Sequence, residues 1–118
     1  MPIYHEAVTT LAVSTAEGGE VVLPPRDLGT LPQRTLTFAC AEGEGKLGLA
    51  AAQVQIGPTA DGPWLDEAIG ETIPTLAAGA AAAYRMDKAD RWLRVLAQGA
   101  AAGDGEQTDL TIYVDAIG

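Results

Sequence analysis

The sequence predicts an all-β protein, an antiparallel β-sandwich of about seven or eight short strands. Apolar and polar residues alternate in several short stretches, which is the pattern of strands buried on one face only. Turn-forming clusters drawn from 14 glycines and 7 prolines separate these stretches, and such clusters favour tight turns over long helices. Short strands at this spacing are typical of sandwiches, with jelly-roll and immunoglobulin-like topologies both open.

The first two predicted strands are Val8–Thr15 and Glu20–Leu23. Gly18-Gly19 between them supplies the positive φ values that a tight hairpin needs. Pro24-Pro25 ends the second strand, because proline cannot donate a backbone hydrogen bond. We therefore expect these strands to form a hairpin.

The next two predicted strands show the alternation more clearly. Arg34–Ala41 points Leu36, Phe38 and Cys40 to one face, so the lone cysteine takes a core position. Gly48–Gly57 follows, and its small residues Ala50 and Ala52 indicate close backbone approach. A short edge strand is expected over 69–76, where a proline interrupts the pattern.

Residues 77–98 fit two patterns. Five apolar positions have helical spacing, namely Ala89, Trp92, Leu93, Leu96 and Ala97. Alternatively, Ala80–Met86 and Arg91–Gln98 are two strands joined by a turn over Asp87–Asp90. We predict the two strands, with a helix over 80–98 as the alternative.

The last predicted strand, Thr108–Asp115, has the clearest alternation. The expected domain organisation is a terminal arm over 1–7 followed by a single sandwich domain over 8–118. The predicted core consists of Leu11, Val13, Leu36, Phe38, Val54, Ile56, Leu93, Val95, Leu110, Ile112 and Val114.

Composition excludes several classes of partner. The chain has 118 residues and a net charge of −9, so it repels phosphate backbones and anionic lipid headgroups. We therefore expect binding to neither nucleic acid nor membranes. A single cysteine cannot form an intramolecular disulfide, and the N-terminal sequence lacks the features of a signal peptide, so synthesis in the cytoplasm is expected.

One glycine-rich motif is a candidate dinucleotide-binding loop. Gly43–Gly48 matches G-x-G-x-x-G and follows a predicted strand, as a dinucleotide-binding loop does. However, the segment after it is short and ends in β-branched Val54 and Ile56, and Glu44 would repel a pyrophosphate. The motif therefore predicts a glycine-rich loop between strands, and we expect no bound cofactor.

The remaining reactive residues favour neither catalysis nor metal binding. His5 is the only histidine, and Cys40 lacks a basic partner. Two carboxylate clusters, near Asp61 and near Asp109, do not have the spacing of a calcium loop. We therefore predict a protein that is not an enzyme and has no catalytic residues and no metal site.

Four segments carry a resemblance to a known group, namely Gln55–Asp66, Leu76–Gly79, Asp90–Val95 and Leu110–Val114. Their D-G-x-W turn and aromatic-L-R-V strand resemble small β-sandwich structural proteins of tailed bacteriophages, over about residues 53–116. Discoidin-like and other carbohydrate-binding sandwiches share such motifs. The resemblance implies a decoration (cement), head-spike or fibre-base protein at the capsid surface, made in the host cytoplasm, that binds the major capsid protein or another virion protein and its own copies.

A sandwich of this size has little room for a pocket, so we expect function at its surface, in a homo-oligomer. Ile3, Tyr4 and His5 in the terminal arm are the candidate partner-binding residues, together with Trp64. The alternative is a module that binds a carbohydrate or receptor, with Trp64 or Trp92 as the platform. An aromatic side chain that closes the end of the sandwich is the favoured interpretation of Trp64.

Overall fold

The computed structural model describes residues 3–66, 73, 75–86 and 90–118, and this part of the chain contains seven strands. In chain order they are β1 (Ile3–Thr10), β2 (Glu20–Asp27), β3 (Gln33–Cys40), β4 (Leu49–Gly57), β5 (Ala81–Arg85), β6 (Trp92–Gly99) and β7 (Leu110–Ile117).

The strands form two sheets, with the orders β1-β7-β3-β5 and β2-β6-β4. Every pair of neighbouring strands is antiparallel. The antiparallel β-sandwich of about seven strands is therefore confirmed. The segment 77–98 contains β5 and β6, so the two-strand prediction is confirmed and the helix alternative is wrong. Part of the predicted turn over 87–90 and most of the predicted strand over 69–76 lie outside the described residues.

The core lies between the two sheets and follows from the alternation. In β3, β6 and β7, every second side chain is buried, and neighbouring strands share the same inner face. All the predicted core residues except Leu11 are buried, and Cys40 is buried with them. Leu11 is 66% exposed because it lies in the turn after β1, so its core assignment is wrong.

The first strand differs from the prediction. β1 begins at Ile3 and pairs along its whole length with β7, from Ile3 opposite Ile117 to Thr10 opposite Leu110. The prediction of a terminal arm over 1–7 is therefore wrong for residues 3–7, which are part of the four-stranded sheet. Backbone pairing with β7 holds them there, although their inward side chains are only partly buried.

The predicted hairpin is also wrong, because β1 and β2 belong to different sheets. Gly18 and Gly19 do have positive φ values, +86° and +73°, but their turn carries the chain from one sheet to the other. A Cβ on Gly19 would lie 2.5 Å from the carbonyl oxygen of Ala97, so the turn packs closely on β6.

β2 continues through Pro24 and Pro25 to Asp27, beyond its predicted end. It is an edge strand that pairs only with β6, and neither proline is part of the register with that strand. The register against β6 shifts between Val21 and Leu23 and again between Leu23 and Arg26. These irregularities distort the free edge of β2.

The ring of Phe38 is fully buried and meets Tyr84 edge to face, with centroids 5.8 Å apart. We expect Phe38→Ala to lower the free energy of unfolding by about 3–5 kcal/mol, because it leaves a cavity between the sheets. Urea unfolding followed by circular dichroism measures this loss. The matched control, Leu65→Ala at a site that is 57% exposed, should change it by less than about 0.5 kcal/mol. A Phe38→Ala effect as small as the control's would contradict the proposed core.

Candidate functional site

The two ends of the sandwich differ in charge. Loops 11–19, 41–48 and 100–109 lie at one end, the acidic end, because each joins strands that begin or finish there. Loop 28–32 and residues Met86, Asp90 and Arg91 lie at the other end, the arginine end, which holds four described arginines, namely Arg26, Arg34, Arg85 and Arg91. The described carboxylates of the acidic end loops are Glu17, Glu42, Glu44, Asp104, Glu106 and Asp109.

Lys46 is the one described cation of the acidic end loops, and it is paired with Asp109 over 2.6 Å. The other carboxylates of that end therefore leave a net negative charge there. At the arginine end, acidic residues such as Asp27 and Asp90 roughly balance the arginines. The sandwich is thus electrically asymmetric along its strands.

The candidate residues Ile3, Tyr4 and His5 lie on β1, at the edge of the four-stranded sheet. Ile3 is 71% exposed and is opposite Ile117, which is 39% exposed. His5 Nδ1 lies 2.5 Å from Asp115 Oδ1 on the exposed outer face. This pair joins β1 to β7, so the sole histidine has a structural partner.

Tyr4 and Glu6 point inward and close the gap between the sheets. The Tyr4 hydroxyl donates to Glu6 Oε1 over 2.7 Å, and Arg26 Nε of β2 donates to the same oxygen over 2.8 Å. Burial, followed by the bond to Glu6, raises the pKa of Tyr4. The bond from Arg26 lowers the pKa of Glu6. The network holds β1 over β2 but leaves the backbone on the free side of β1 unpaired among the described residues.

The four sheet edges are protected to different degrees. β2 contains two prolines, and its register with β6 shifts twice. β4 is covered by the following connection, through bridges from Leu65, Ile73 and Leu76. β1 contains no proline, keeps a regular register over eight residues and has no second neighbour in the described part of the chain. An edge of this kind is a template for pairing with another strand.

β5 is the remaining edge. It is only five residues long and is rich in alanine. A short edge strand offers fewer backbone groups to a partner than the eight residues of β1. β1 is therefore the strongest candidate for strand addition.

Trp64, the fourth candidate, lies against the other sheet. The guanidinium of Arg94 on β6 lies 4.4 Å from its ring centroid, and Arg94 Nε donates to Gln55 Oε1 over 2.7 Å. Gln55 Nε2 in turn donates to Asp66 Oδ1 over 2.6 Å. The structure therefore does not bring Trp64 together with Ile3, Tyr4 and His5, which lie on the other sheet.

Asp109 organises the acidic end. Its carboxylate accepts from Lys46 Nζ over 2.6 Å, from Gln107 Nε2 over 2.6 Å and from the Ala12 N–H over 3.0 Å. The last bond stabilises Ala12 in the left-handed region, at φ +50°. Asp109 thus joins all three loops of this end, a role that the sequence alone did not reveal.

Arg34 is a second residue that the sequence did not single out. Its side chain is buried, with Nε donating to the Leu31 carbonyl over 2.7 Å and Nη2 to the Gly29 carbonyl over 3.4 Å. Nη1 is buried without an acceptor among the described residues. Burial lowers the pKa of Arg34. Its two bonds hold loop 28–32 against the end of the core.

Other reactive features have structural roles. Burial raises the pKa of the Cys40 thiol, which disfavours the nucleophilic thiolate. Gly43–Gly48 lies in the loop between β3 and β4, with a strand where a dinucleotide-binding loop would lead into a helix. The described residues contain no group of three His, Cys, Asp or Glu side chains placed to hold a metal ion, and no helix suited to crossing a membrane.

Comparison with known proteins leaves the family open. No protein-family model and no curated protein matches the chain. Among solved structures, the CBM22-1–GH10 modules of Clostridium thermocellum endo-1,4-β-D-xylanase 10B with xylohexaose are similar at 10% identity and a TM-score of 0.40. The match covers 95% of this chain but 26% of that one, so the chain spans about a quarter of its length. A likeness this remote carries no argument about function.

We expect Asp109→Asn to destabilise the protein at neutral pH and to have a smaller effect in acid. Chiefly the bond from Lys46, and then that from Ala12 N–H, lower the pKa of Asp109. A lowered pKa stabilises the fold above the ordinary value of about 4, and this contribution is lost as pH falls through the native pKa. Urea unfolding between about pH 7 and pH 2.5 should therefore show the two proteins converging.

Lys46→Met provides the control for that experiment. In the Lys46→Met background, Asp109→Asn should cost less than it does in the native chain, because the principal partner is already absent. A constant difference between native protein and Asp109→Asn at every pH would contradict the assigned role of Asp109.

Proposed function

We propose that this chain is a non-enzymatic structural protein of a virion, a capsid decoration or head-spike component that binds the capsid lattice and its own copies. The free edge of β1 is the observation that carries the proposal. Eight consecutive residues there keep a regular register with β7, and no described strand pairs with their other side. Strand addition supplies affinity through the backbone and needs no deep pocket.

Exposed apolar side chains support the same surface. Ile3, the first residue of β1, and Leu11, the residue directly after it, are 71% and 66% exposed. Each is normal alone on a protein surface, but together they flank the unprotected edge. The net charge of −9 suits a basic patch on a protein partner, and repeated copies on a lattice turn weak contacts into firm attachment. The resemblance to small structural proteins of tailed bacteriophages supports a virion as the assembly to which the chain binds.

The alternative function is a carbohydrate- or receptor-binding module, and Trp64 favours it. An aromatic ring beside amide, guanidinium and carboxylate groups is a common way to bind a sugar. Here Arg94 covers one face of the ring, which restricts stacking to the other. Binding of an oligosaccharide by a monomeric chain, with loss of binding in Trp64→Ala, would favour this alternative.

The direct test is whether the chain belongs to the particle. We expect mass spectrometry to find it in gradient-purified particles of the virus that encodes it, and added chain to bind particles that lack it. Ile3→Asp should weaken that binding roughly tenfold or more, because it places a charge at the apolar end of the β1 edge. Point substitution is preferable to removing residues 1–7, which would delete five of the eight residues of β1 that pair with β7.

Leu65→Asp is the matched control, since Leu65 is also exposed but lies beside the other sheet. It should leave binding to particles unchanged. Absence of the chain from purified particles would reject the virion proposal, and equal loss in both variants would reject β1 as the binding surface.

A further inference from the structure

We propose that β1 pairs with β1 of a second copy of this chain, antiparallel about a two-fold axis that passes through Ala7. The two four-stranded sheets would join into one sheet of eight strands, with each β1 covering the other's free edge. This deepens the proposed function: it rests on the β1 edge being a protein-binding surface and assigns that edge to the chain's own copies, so that Ile3→Asp weakens attachment to the lattice by removing the dimer's multivalent contacts. A contact of the same surface with itself closes into a dimer.

The exposed apolar side chains set the register. In an antiparallel pair centred on Ala7, residue numbers of opposite positions add to 14, so Ile3 at the start of β1 in one copy lies opposite Leu11, the residue directly after β1, in the other. These two side chains, 71% and 66% exposed, have the largest exposed fractions among the large hydrophobic residues of the described chain. One contact between them forms at each end of the paired strands. Pairing therefore buries the exposed side chains of Ile3 and Leu11 in both copies.

Charge within the strand favours the same axis. Centring the pair on Glu6 would place two glutamates directly opposite each other, which is destabilising. Centring it on Ala7 places Glu6 opposite Val8 and His5 opposite Thr9, with the small residue at the axis. Ala7 is exposed on the outer face, so two copies meet there without a bulky side chain.

The unequal charge of the two ends of the sandwich favours the same arrangement. A two-fold axis across the strands turns the second copy end for end, so its arginine end lies beside the acidic end of the first. The carboxylates of the acidic end then lie beside the roughly neutral arginine end of the neighbour rather than beside its acidic end. A side-by-side parallel arrangement would instead bring the two acidic ends together. The asymmetry of the fold thus selects the antiparallel dimer.

Ala7→Cys tests the axis directly. Opposite residues in an antiparallel pair have Cα atoms about 4.5–5.5 Å apart, within the range that a disulfide spans. Under mild oxidation, Ala7→Cys should give a covalent dimer at least ~10-fold faster than Thr9→Cys, whose two copies would lie roughly 14 Å apart along the strands. The native Cys40 is buried and does not compete.

Ile3→Lys and Leu11→Glu test the register. Light scattering and sedimentation of the native chain should show a dimer, and each single variant should raise its Kd roughly tenfold or more. The double variant should recover dimerisation, because the introduced lysine of one copy then faces the introduced glutamate of the other. A monomeric native chain, equal crosslinking at positions 7 and 9, or a double variant as weak as the singles would each overturn the proposal.

The dimer and the virion function fail separately. A monomeric chain that is nevertheless present in purified particles overturns the dimer and leaves the virion proposal standing. A chain that forms the predicted crosslinked dimer but is absent from purified particles supports the dimer and overturns the virion proposal.

Discussion

The packing of the two inner sheet faces against each other is the constraint on which the rest of the molecule depends. Fully buried Leu36, Phe38, Leu93, Val95 and Val114 come from strands of both sheets and meet between them. Because a strand alternates with a period of two, fixing these inward positions also fixes which residues face outward. The outer faces and the loops are then free to carry charge and contacts that the core does not require.

Closing the sandwich at its edges is a separate problem, and the chain solves it with polar groups. Where β1 lies over β2, the inward Glu6 is held by Tyr4 and Arg26 instead of by apolar neighbours. At the acidic end, Asp109 joins three loops, and at the other end Arg34 fixes loop 28–32 through two carbonyls. These polar groups carry hydrogen bonds that offset their loss of water, with Arg34 Nη1 the exception among the described residues.

The sequence predicts the strands whose inward positions are apolar, and it does not predict the start of β1, where the inward positions are polar. β3, β4, β6 and β7 have apolar inward positions and were found close to their bounds. β1 was missed at its start because its inward residues there, Tyr4 and Glu6, belong to a polar network and break the apolar period. The order of the strands in the sheets determines which distant residues come together, and the alternation pattern does not reveal that order. Ile3 lies on one sheet and Trp64 packs against the other, and Asp109 joins three loops, and both arrangements depend on contacts between distant segments.

The pairing of Ile3 with Ile117 has a mechanical consequence. Both ends of the described chain leave the sandwich at the same end, along neighbouring antiparallel strands. A force that pulls these two ends apart would unzip β1 from β7 one residue pair after another, so the pairs would bear the load in sequence and not in parallel. Forces entering through opposite ends of the sandwich would instead shear whole strands. The domain is therefore weaker when stretched by its termini than when force is applied between its two ends.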